Sequence, residues 1–302
     1  MARYLVGTVE DSVAKNGKSF LKVQLTDSNK AKSTVYVWEN MDDFKTCYAN
    51  HKVMEIRTDN DPSFPKVVTF SGAGNDTLPF IKCAFPSDEY AMQLLDKLIN
   101  SIKNPILCSL NKAIFTDEVK EKFIRASAAH GIHHAYYGGL LKHTFELMQF
   151  ISAICSSPLG EGINKDIAME GALLHDIGKL ADYTTADNVN FDYTTDFYLS
   201  SHLSRGPEMI AQVFPTSYAE VQHVMHIIRS HHLQEAWGAI TSPKTPEAVL
   251  VFLADYYSAT TDKVSGLEAE PSGIIKIPGS RDIFLDFERA FGPYTSSTAQ
   301  SE

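Results

Sequence analysis

The sequence predicts an α+β protein of two domains, a small N-terminal β-barrel followed by an all-α domain. Its 302 residues are about twice the ~150 residues of a typical domain, which favours two folded units. In the first part of the chain apolar and polar side chains alternate, which is the period of a β-strand. From Ser87 onward the apolar residues recur at helical spacing, as at Met92, Leu95 and Ile99.

Short strands and one helix predict an OB-like barrel at residues 1–75, with five strands in all. The clearest alternating segments are residues 20–25, 34–38, 53–57 and 66–70. Asn16 and Gly17 supply the positive φ values that a tight hairpin turn needs. A helical stretch near residues 41–48 falls between the third and fourth strands. This is the element order of an OB-fold, whose second and third strands commonly bind oligonucleotides.

Helices are predicted for most of the remaining chain, and Ser87 is placed to cap the first of them. The later helices are predicted at residues 111–128, 138–155, 165–176, 204–213, 218–230 and 246–263. We divide this part into a helical connector at 76–125, the all-α domain at 126–263 and a C-terminal extension at 264–302. The extension ends in a polar stretch, SSTAQSE, that is expected to be a frayed tail.

The composition argues against several classes of protein. With 44% hydrophobic and 21% charged residues, the chain is neither disordered, collagen-like nor a coiled coil. No apolar run approaches the ~18 residues of a membrane span, and the N-terminus lacks the basic and then apolar layout of a signal peptide. The four cysteines stand far apart without a CxxC pair, as expected of reduced thiols. We therefore expect a cytoplasmic protein with no membrane partner.

The net charge of −10 counts against a nucleic-acid partner, because non-specific binding depends on Lys and Arg neutralising phosphates. The charge is unevenly distributed, since residues 1–75 hold 10 Lys and Arg against 9 Asp and Glu. The acidity therefore lies in the second part of the chain, where some carboxylates are expected to hold metal.

Histidines cluster in one third of the chain, and this clustering predicts a metal site. Ten of the 11 histidines fall between His130 and His232. Imidazole nitrogen and carboxylate oxygen suit Mn, Fe, Co, Ni or Zn, and a carboxylate can bridge two cations ~3.5–4 Å apart. His175 and Asp176 end an apolar helix, where an unpaired His-Asp pair would be costly. In chain order the candidate ligands are His143, His175, Asp176, His202, His231, His232 and Asp255.

Ordinary burial is the alternative account of any single histidine. It is our expectation for His51, His223 and His226, and His143 taken alone would be interpreted in the same way. The ordered set of histidines and carboxylates, taken together, favours the metal site.

Five motifs, in this order and spacing, resemble the signature of HD-domain metal-dependent phosphohydrolases. They are GGLLKHT at 138–144, LLHDIGK at 173–179, SHLSRG at 201–206, IRSHH at 228–232 and LADYYSA at 253–259. A barrel segment reading VGTVEDSVAKNGKSFLKVQLTD and the run HHAYYGGLLKHT extend the resemblance to about residues 4–262. Over this length the chain is similar to YhaM-type 3′-to-5′ exoribonucleases, which combine an OB-fold with an HD domain.

The resemblance implies a ligand set for two divalent ions. The implied ligands of one ion are His143, His175, Asp176 and Asp255. Asp176 would bridge to a second ion held by His202 and His231, with His232 as the alternative ligand.

Two positions depart from the family pattern. Ser258 stands where such proteins often carry a second Asp, and Ser201 stands where Gly commonly precedes the third His. Neither departure removes a ligand, but both bear on substrate preference.

Three residues are our candidates for catalysis, namely Asp176, Lys179 and His134. Lys179, one turn past the His-Asp pair, is placed to bind a phosphate oxygen in the transition state, although a favourable position on the helix dipole is an equal alternative. His133 and His134 are candidates for ligand support or proton transfer, with a polar helix start as the rival account. The sequence has no GxxxxGK[ST], GxSxG, HExxH or GxGxxG motif that would indicate other chemistry.

Four residues of the barrel are candidates for binding a single strand. Phe20, Lys22, Tyr36 and Trp38 fall on the strand face opposite Leu21, Val23, Val35 and Val37. Aromatic residues there would stack on bases of any sequence. Packing of this face against the helical domain or another subunit is the alternative, and the near-neutral charge of residues 1–75 favours it.

Hydrolysis of a phosphodiester is the expected reaction, because two bridged cations activate a water and stabilise the charge on phosphate oxygens. The leading hypothesis is a 3′-to-5′ exonuclease on single-stranded RNA, with DNA as a second polymer. It would use two divalent ions, with Mn preferred and Fe, Co, Ni, Zn or Mg as alternatives.

Other functions stay open from the sequence. One is an HD phosphohydrolase acting on a nucleotide, a cyclic nucleotide or a cyclic oligonucleotide, and another is a non-catalytic OB binding module with a structural HD domain. The ligand types alone also leave a diiron oxygenase open. The expected partner is therefore a single-stranded nucleic acid or a nucleotide, and we leave open whether the chain forms a homo-oligomer.

Overall fold

The computed structural model describes residues 1–59, 61–130, 133–184, 193–265, 267, 274–276 and 283–285. Its contacts divide the chain into two compact units. Residues 1–86 form the body of the first unit, and the second contains Ser87–Tyr183 and the chain from Tyr193 onward. An antiparallel sheet therefore comes first and helices follow, as the α+β class predicts.

The first unit contains a five-stranded antiparallel sheet with the strand order β3-β2-β1-β4-β5. The strands are β1 Ala2–Val13, β2 Ser19–Thr26, β3 Lys32–Val37, β4 Val53–Thr58 and β5 Val67–Gly74. Tyr36 of the edge strand β3 forms a parallel bridge with Lys66, which directly precedes the other edge strand, β5. The Tyr36 N–H donates to the Pro65 carbonyl at 2.9 Å. The two edges of the sheet therefore meet, and the sheet curls on itself.

Alternation along the strands decides which side chains enter the core of this unit. Leu21, Val23 and Leu25 of β2 are buried, and Val35 and Val37 of β3 join them in one apolar cluster. Their neighbours in sequence point to the other face of the sheet, because side chains of a strand alternate with a period of two. Helix α1 (Met41–Asn50) lies between β3 and β4 in the chain and contributes Phe44 to the same core.

The second unit is helical, and polar caps begin most of its helices. The helices are α2 Asp88–Ser101, α3 Pro105–Ile114, α4 Asp117–Arg125, α5 Gly139–Cys155, α6 Lys165–Leu174, α7 Thr195–Leu199, α8 His202–Val213, α9 Ala219–Ser230 and α10 Pro246–Val264. Ser87 accepts a hydrogen bond from the Tyr90 N–H at the start of α2, as predicted.

One helix predicted from the sequence is wrong, because residues 111–128 contain the end of α3 and all of α4. The chain breaks between them at Phe115 and Thr116, and the Thr116 side chain caps α4 by accepting from the Val119 N–H. The apolar residues continue at helical spacing through this break, which is why the periodicity alone did not reveal it.

The C-terminal extension contains a structure that the sequence did not predict. Strands β6 (Ile274–Lys276) and β7 (Ile283–Leu285) pair in an antiparallel ladder. The predicted frayed tail, 296–302, lies outside the described residues.

Two expectations from composition agree with the described residues. Every helix described is too short or too polar to cross a membrane. The cysteines form no disulfide bond with one another, and all four are partly buried: Cys47, Cys83, Cys108 and Cys155.

A buried carboxyl group makes the stability of the helical unit depend on pH. Glu170 of α6 is fully buried and accepts a hydrogen bond from Asn111 Nδ2 at 2.9 Å. Burial raises the pKa of Glu170 to about 8, so at neutral pH the folded chain holds a proton that the unfolded chain releases.

The free energy of unfolding should therefore fall as pH rises from the ordinary pKa of a glutamate towards 8. We expect Glu170→Gln to remove this fall, stabilising the chain relative to the parent by ~3 kcal/mol more at pH 8 than at pH 5. Urea denaturation of both proteins at the two pH values measures the difference. An equal effect of the substitution at both pH values would mean that Glu170 is ionised in the fold.

Candidate metal centre

Five segments of the helical unit bring the predicted ligands together. His143 lies on α5, the His175-Asp176 pair follows α6, His202 begins α8, His231 and His232 follow α9, and Asp255 lies on α10. The ligand atoms form two groups, each with its atoms within 4.8 Å of one another. We call them the first cluster (His143, His175 and Asp176) and the second cluster (His202, His231 and His232).

Local sequence explains why the His-Asp pair lies deep in the fold. All residues of α6 from Ile167 to Leu174 are buried, so the helix ends inside the unit. Gly178 follows in a 3₁₀ turn, Ile177–Leu180, and a Cβ at this position would collide with the backbone oxygen of His202. Glycine therefore allows α8 to approach the turn that carries Asp176.

Ser201, which departs from the family pattern, has a structural role at the start of α8. Its hydroxyl accepts a hydrogen bond from the Leu203 N–H at 3.2 Å, so it caps the helix whose first residue is His202. A serine at this position fixes the helix end better than glycine, which offers no side-chain acceptor.

Side-chain nitrogens and oxygens of the first cluster face one another. Nε2 of His143 and Nε2 of His175 are 3.2 Å apart, and Asp176 Oδ2 lies 3.2 Å from the latter. Asp255 adds a second carboxylate, with Oδ1 3.0 Å from Nε2 of His143. The predicted ligands of the first ion therefore lie together in the structure.

Asp176 faces both clusters, with one oxygen towards each. Its Oδ2 is the atom near His175, while its Oδ1 lies 3.5 Å from Nε2 of His202 and 3.7 Å from Nε2 of His231. A carboxylate in this position can bridge two cations. His232 belongs to the second cluster as well, so it stays in the ligand set as the alternative.

Hydrogen bonds behind the rings fix which nitrogen faces the site. The Nδ1 atoms of His175 and His231 lie 2.8 Å from the carbonyl oxygens of Ala172 and Ile228. Because a carbonyl only accepts, each Nδ1 carries a proton, so either ring presents an unprotonated Nε2 when it is neutral. That lone pair is the form a metal ion requires.

His143 is oriented by a chain of side chains that the sequence reasoning missed. The Ser258 hydroxyl donates to Glu146 Oε2 at 2.7 Å and lies 2.9 Å from Nδ1 of His143. Since the hydroxyl has already donated its proton, Nδ1 of His143 is the donor in that bond. Ser258, the second departure from the family pattern, therefore orients the ring of a predicted ligand. Glu146 stands three residues after His143, a helical neighbour that periodicity could have identified.

The electrostatics of the site favour ionised carboxylates beside neutral imidazoles. Burial alone would raise the pKa of Asp176, but His175 and Lys179 hold it well below its usual range. Burial alone would raise the pKa of Asp255, but the adjacent His143 ring outweighs burial and lowers it. Burial lowers the pKa of His202 to about 3 and that of His231 well below its usual range.

His175 is the exception among the rings. Burial opposes its charging, but the neighbouring Asp176 carboxylate outweighs burial and raises its pKa. When no cation is bound, a proton on His175 balances part of the negative charge of Asp176, which a cation would otherwise neutralise.

Unsatisfied buried atoms test whether a metal fits these residues. Asp176 Oδ1, Nε2 of His202 and Nδ1 of His232 are buried without a hydrogen-bond partner. A buried polar atom without a partner needs a physical explanation, and a bound ion is one. Their identity, imidazole nitrogen and carboxylate oxygen, suits a divalent transition metal. The residues present therefore fit the predicted ions.

Lys179 lies at the site with its ammonium on the Asp176 carboxylate, which faces both clusters. Its Nζ is 2.6 Å from Asp176 Oδ2, and the side chain lines the cavity over the clusters. A lysine that only interacts favourably with the helix dipole would not need this contact with Asp176. The geometry is compatible with the predicted interaction with a phosphate oxygen.

The two adjacent histidines before α5 occupy different environments. His134 is fully buried, and its Nε2 lies 3.1 Å from Glu146 Oε2, behind His143. His133 lines the cavity with Asp176 and Lys179, and burial lowers its pKa to about 3. The structure therefore brings His133, and not the predicted His134, to the open side of the clusters.

Asp182 is a further residue that the sequence reasoning missed. It is buried, and its Oδ2 lies 3.6 Å from Nδ1 of His202, on the side of the ring opposite Asp176. Burial raises its pKa to about 6. A carboxylate behind a ligand histidine orients the ring, and the position of Asp182, three residues after Lys179, gave no signal of this in the sequence.

The histidines expected to be ordinary have local partners. His223 Nε2 lies 2.6 Å from Thr245 Oγ1, and His226 Nε2 accepts from the Lys244 N–H at 3.0 Å. His51 belongs to the first unit, where its ring packs over Gly72. None of the three belongs to the two clusters.

The four residues predicted to bind a single nucleic-acid strand lie on one face of the sheet in the first unit. The rings of Phe20 and Trp38 stack with centroids 4.7 Å apart, and Lys22 is the register partner of Tyr36. A fifth residue, which the sequence did not single out, is Phe64, whose ring stacks on Tyr36 at 3.7 Å. Phe64 lies in a loop, where side chains follow no regular period, so the sequence pattern could not identify it. The result is a continuous aromatic face, with Phe64 38% exposed.

Comparison with known proteins agrees with the resemblance predicted from the motifs. The model of the HD domain family matches residues 140–260. The chain is also similar to the 3′-5′ exoribonuclease YhaM of Geobacillus sp. (strain WCH70), with 22% identity over 274 residues. This match covers 86% of the chain and 82% of the relative. No solved structure matches the chain.

The family match begins before His143 and ends after Asp255, so it contains both clusters and most of each helix that carries them. The predicted resemblance is confirmed: residues 140–260 match the HD domain family, in a chain that is similar to the YhaM exoribonuclease over most of its length.

Proposed function

We propose that this protein is a metal-dependent phosphodiesterase that removes nucleotides from the 3′ end of single-stranded RNA, with DNA as a second polymer. The observation that carries the proposal is the position of Asp176, which presents one oxygen to each of two clusters of histidine nitrogens. The name of the similar protein, 3′-5′ exoribonuclease, supports the choice of polymer and of direction.

Two divalent ions, with Mn preferred, are part of the proposal. His143, His175 and Asp255 would hold one, His202 and His231 the other, and Asp176 both. When bound, such ions supply Lewis acidity that activates water and neutralises charge on phosphodiester oxygens.

The chain's own residues would position the substrate around the ions. Lys179 would attract a phosphate oxygen, because its ammonium already lies at the bridging carboxylate and lines the cavity. His133, which lines the same cavity, would hydrogen-bond the substrate or exchange a proton with it. We assign His134 a positioning role, since it holds Glu146 behind His143.

The first unit would hold the strand. We propose an OB-like barrel at residues 1–75, supported by the strand order, by α1 between β3 and β4, and by the bridge between Tyr36 and Lys66. Its aromatic face would stack on successive bases, with Lys18 (Nζ 5.8 Å from the Trp38 ring centroid) and Lys22 near the backbone.

A small nucleotide is the second candidate substrate. The net charge of −10 disfavours a polyanion, and the cavity over the clusters has a volume of only about 190 Å³. A strand end and a free nucleotide would each present one nucleotide to this cavity, so substrate tests separate the two candidates.

Product analysis tests the proposed function. The Mn-loaded protein is incubated with 5′-labelled single-stranded RNA and DNA and with a panel of mononucleotides and cyclic dinucleotides. We expect a ladder of progressively shorter labelled products from RNA. Best activity on a mononucleotide or a cyclic dinucleotide, without a ladder, would favour the second candidate.

Salt dependence gives an independent prediction for the polymer substrate. A strand bound along several phosphates releases counterions, so log KM should rise with log salt at a slope of ~0.7 per neutralised phosphate. We expect a steep dependence for RNA and a shallow one for a mononucleotide in the same buffer series. A flat dependence for RNA would contradict binding along several phosphates.

Substitutions on the aromatic face test strand binding by the first unit. We expect Tyr36→Ala and Trp38→Ala each to weaken binding of single-stranded RNA by ~1–3 kcal/mol, while hydrolysis of a dinucleotide hardly changes. The matched control is Tyr218→Ala, which removes an exposed ring of the helical unit. Intact strand affinity, together with unfolding or a changed oligomeric state, would instead show that this face is a packing surface.

A further inference from the structure

The cavity over the clusters has an aromatic side that metal binding does not explain. Metal ligands, Lys179 and His133 line one part of it, and Trp237, Phe252 and Tyr256 line another. Trp237 and Tyr256 are 53% and 56% exposed. Large rings left open to solvent in the wall of a cavity are typical of ligand-binding sites.

The chain attaches these rings to the segments that carry the ligands. On α10 the cavity-lining residues Phe252, Asp255, Tyr256 and Ala259 have the spacing i, i+3, i+4 and i+7, which is one helix face. Trp237 ends a 3₁₀ turn, Glu235–Trp237, that closely follows the second cluster. Each ring is therefore held at a fixed position relative to a proposed ligand.

The cavity combines two kinds of chemistry that one molecule would have to match. Its charged side suits a phosphate group, and its aromatic side suits a planar ring that can stack. A nucleotide carries both groups. Stacking on a base requires no base-specific hydrogen bond, so such a site would accept every nucleotide.

We propose that Trp237 and Tyr256 form a nucleobase subsite, which stacks on the base of the terminal nucleotide while its phosphodiester lies over the two clusters. This inference rests on the proposed function for the position of the phosphodiester. It adds the residues that hold the base and predicts that they do not select its identity.

The neighbouring residue Tyr257 provides a matched control. It is 57% exposed, almost the same as Tyr256, but it is not among the residues that line the cavity. Its ring lies 5.5 Å from the ring of Phe150, next to an apolar groove that includes Val249 and Leu253. A loss of function specific to Tyr256 therefore cannot come from this groove.

Binding of two small probes tests the subsite without reference to catalysis. Adenosine 5′-monophosphate and ribose 5-phosphate differ by the base, and calorimetry measures the affinity of the Mn-loaded protein for each. We expect the wild type to prefer the nucleotide by about 5- to 150-fold, which corresponds to stacking of one base. Trp237→Ala and Tyr256→Ala should each reduce the preference, and Tyr257→Ala should not.

Conservative variants separate stacking from folding. Tyr256→Phe keeps the ring and should keep the preference. Trp237→Leu fills the space without a large ring and should lose it while affinity for ribose 5-phosphate is unchanged. Equal loss of affinity for both probes, or a change of oligomeric state in Tyr256→Ala with the preference intact, would overturn the subsite.

Strand hydrolysis distinguishes failure of the inference from failure of the proposed function. The substrates are single strands with and without the base of the 3′-terminal nucleotide. We expect the wild type to favour the complete strand and Tyr256→Ala to cleave both at similar kcat/KM. If strands are cleaved but the variant keeps the preference, the subsite is wrong and the function stands. If no strand is cleaved while the probes show the base preference, the function is wrong and the subsite stands.

Discussion

Asp176→Asn is expected to lose both metal ions and nearly all hydrolysis. The carboxylate presents Oδ2 to the first cluster and Oδ1 to the second, so its loss weakens both sites at once. Bound ions supply several kcal/mol of transition-state stabilisation, and we expect kcat/KM to fall by at least about a thousandfold. Elemental analysis of the purified variant and an RNA hydrolysis assay measure the two effects.

The matched control is Glu170→Gln, another replacement of a buried carboxyl by an amide. Glu170 lies on α6, the helix that ends at His175, but it pairs with Asn111 and belongs to neither cluster. It should retain both ions and full activity. Unchanged metal content in Asp176→Asn would refute a bridge between two sites.

His202→Ala is expected to lose one ion and keep the other. His202 contributes to the second cluster, where its Nε2 faces Asp176 Oδ1, whereas His143 contacts His175 and Asp255 without involving the His202 ring. Without the second ion we expect kcat to fall by ~2–4 kcal/mol of transition-state stabilisation, roughly 30- to 1000-fold. Elemental analysis of the variant measures the number of bound ions, and single-turnover kinetics measure the fall in kcat.

His226→Ala is the control for this experiment. His226 lies on α9, next to the second cluster in sequence, and its ring accepts a hydrogen bond from the Lys244 N–H outside both clusters. It should keep two ions. Loss of both ions in His202→Ala would mean that the two clusters form one cooperative site.

The grouping of the candidate ligands was predictable from the sequence through the five motifs that resemble those of the HD-domain family. The resemblance implies that His143, Asp176 and Asp255 share one site, and in the structure the two carboxylates lie 3.9 Å and 3.0 Å from Nε2 of His143. Because the buried helix α6 ends inside the unit, the Asp176 carboxylate that follows it faces both clusters. No comparable local rule predicts the residues behind the ligands.

The missed residues lie where several elements meet. Asp182 is near His202 because α8 packs against the 3₁₀ turn at Gly178, and nothing in the sequence near Asp182 reports that contact. His133 and His134 are adjacent, so the sequence could not tell which ring faces the cavity. The backbone decides this, since His134 has a φ of 46° and its N–H donates to Asp262.

The fold shows the same division between local and tertiary information. Alternation in β2 and β3 predicts both faces of the sheet, and Ser87 predicts the start of α2. The break between α3 and α4 escaped prediction because its apolar residues keep helical spacing. Phe64 escaped prediction because a loop has no period, and only the closed sheet brings it onto Tyr36.

Anomalous diffraction from crystals of the Mn-loaded protein tests the two-ion site at the centre of this account. We expect two manganese peaks about 3.5–4 Å apart, one beside His143 and His175 and the other beside His202 and His231, with the Asp176 carboxylate between them. A single peak, or two peaks without Asp176 between them, would contradict the account.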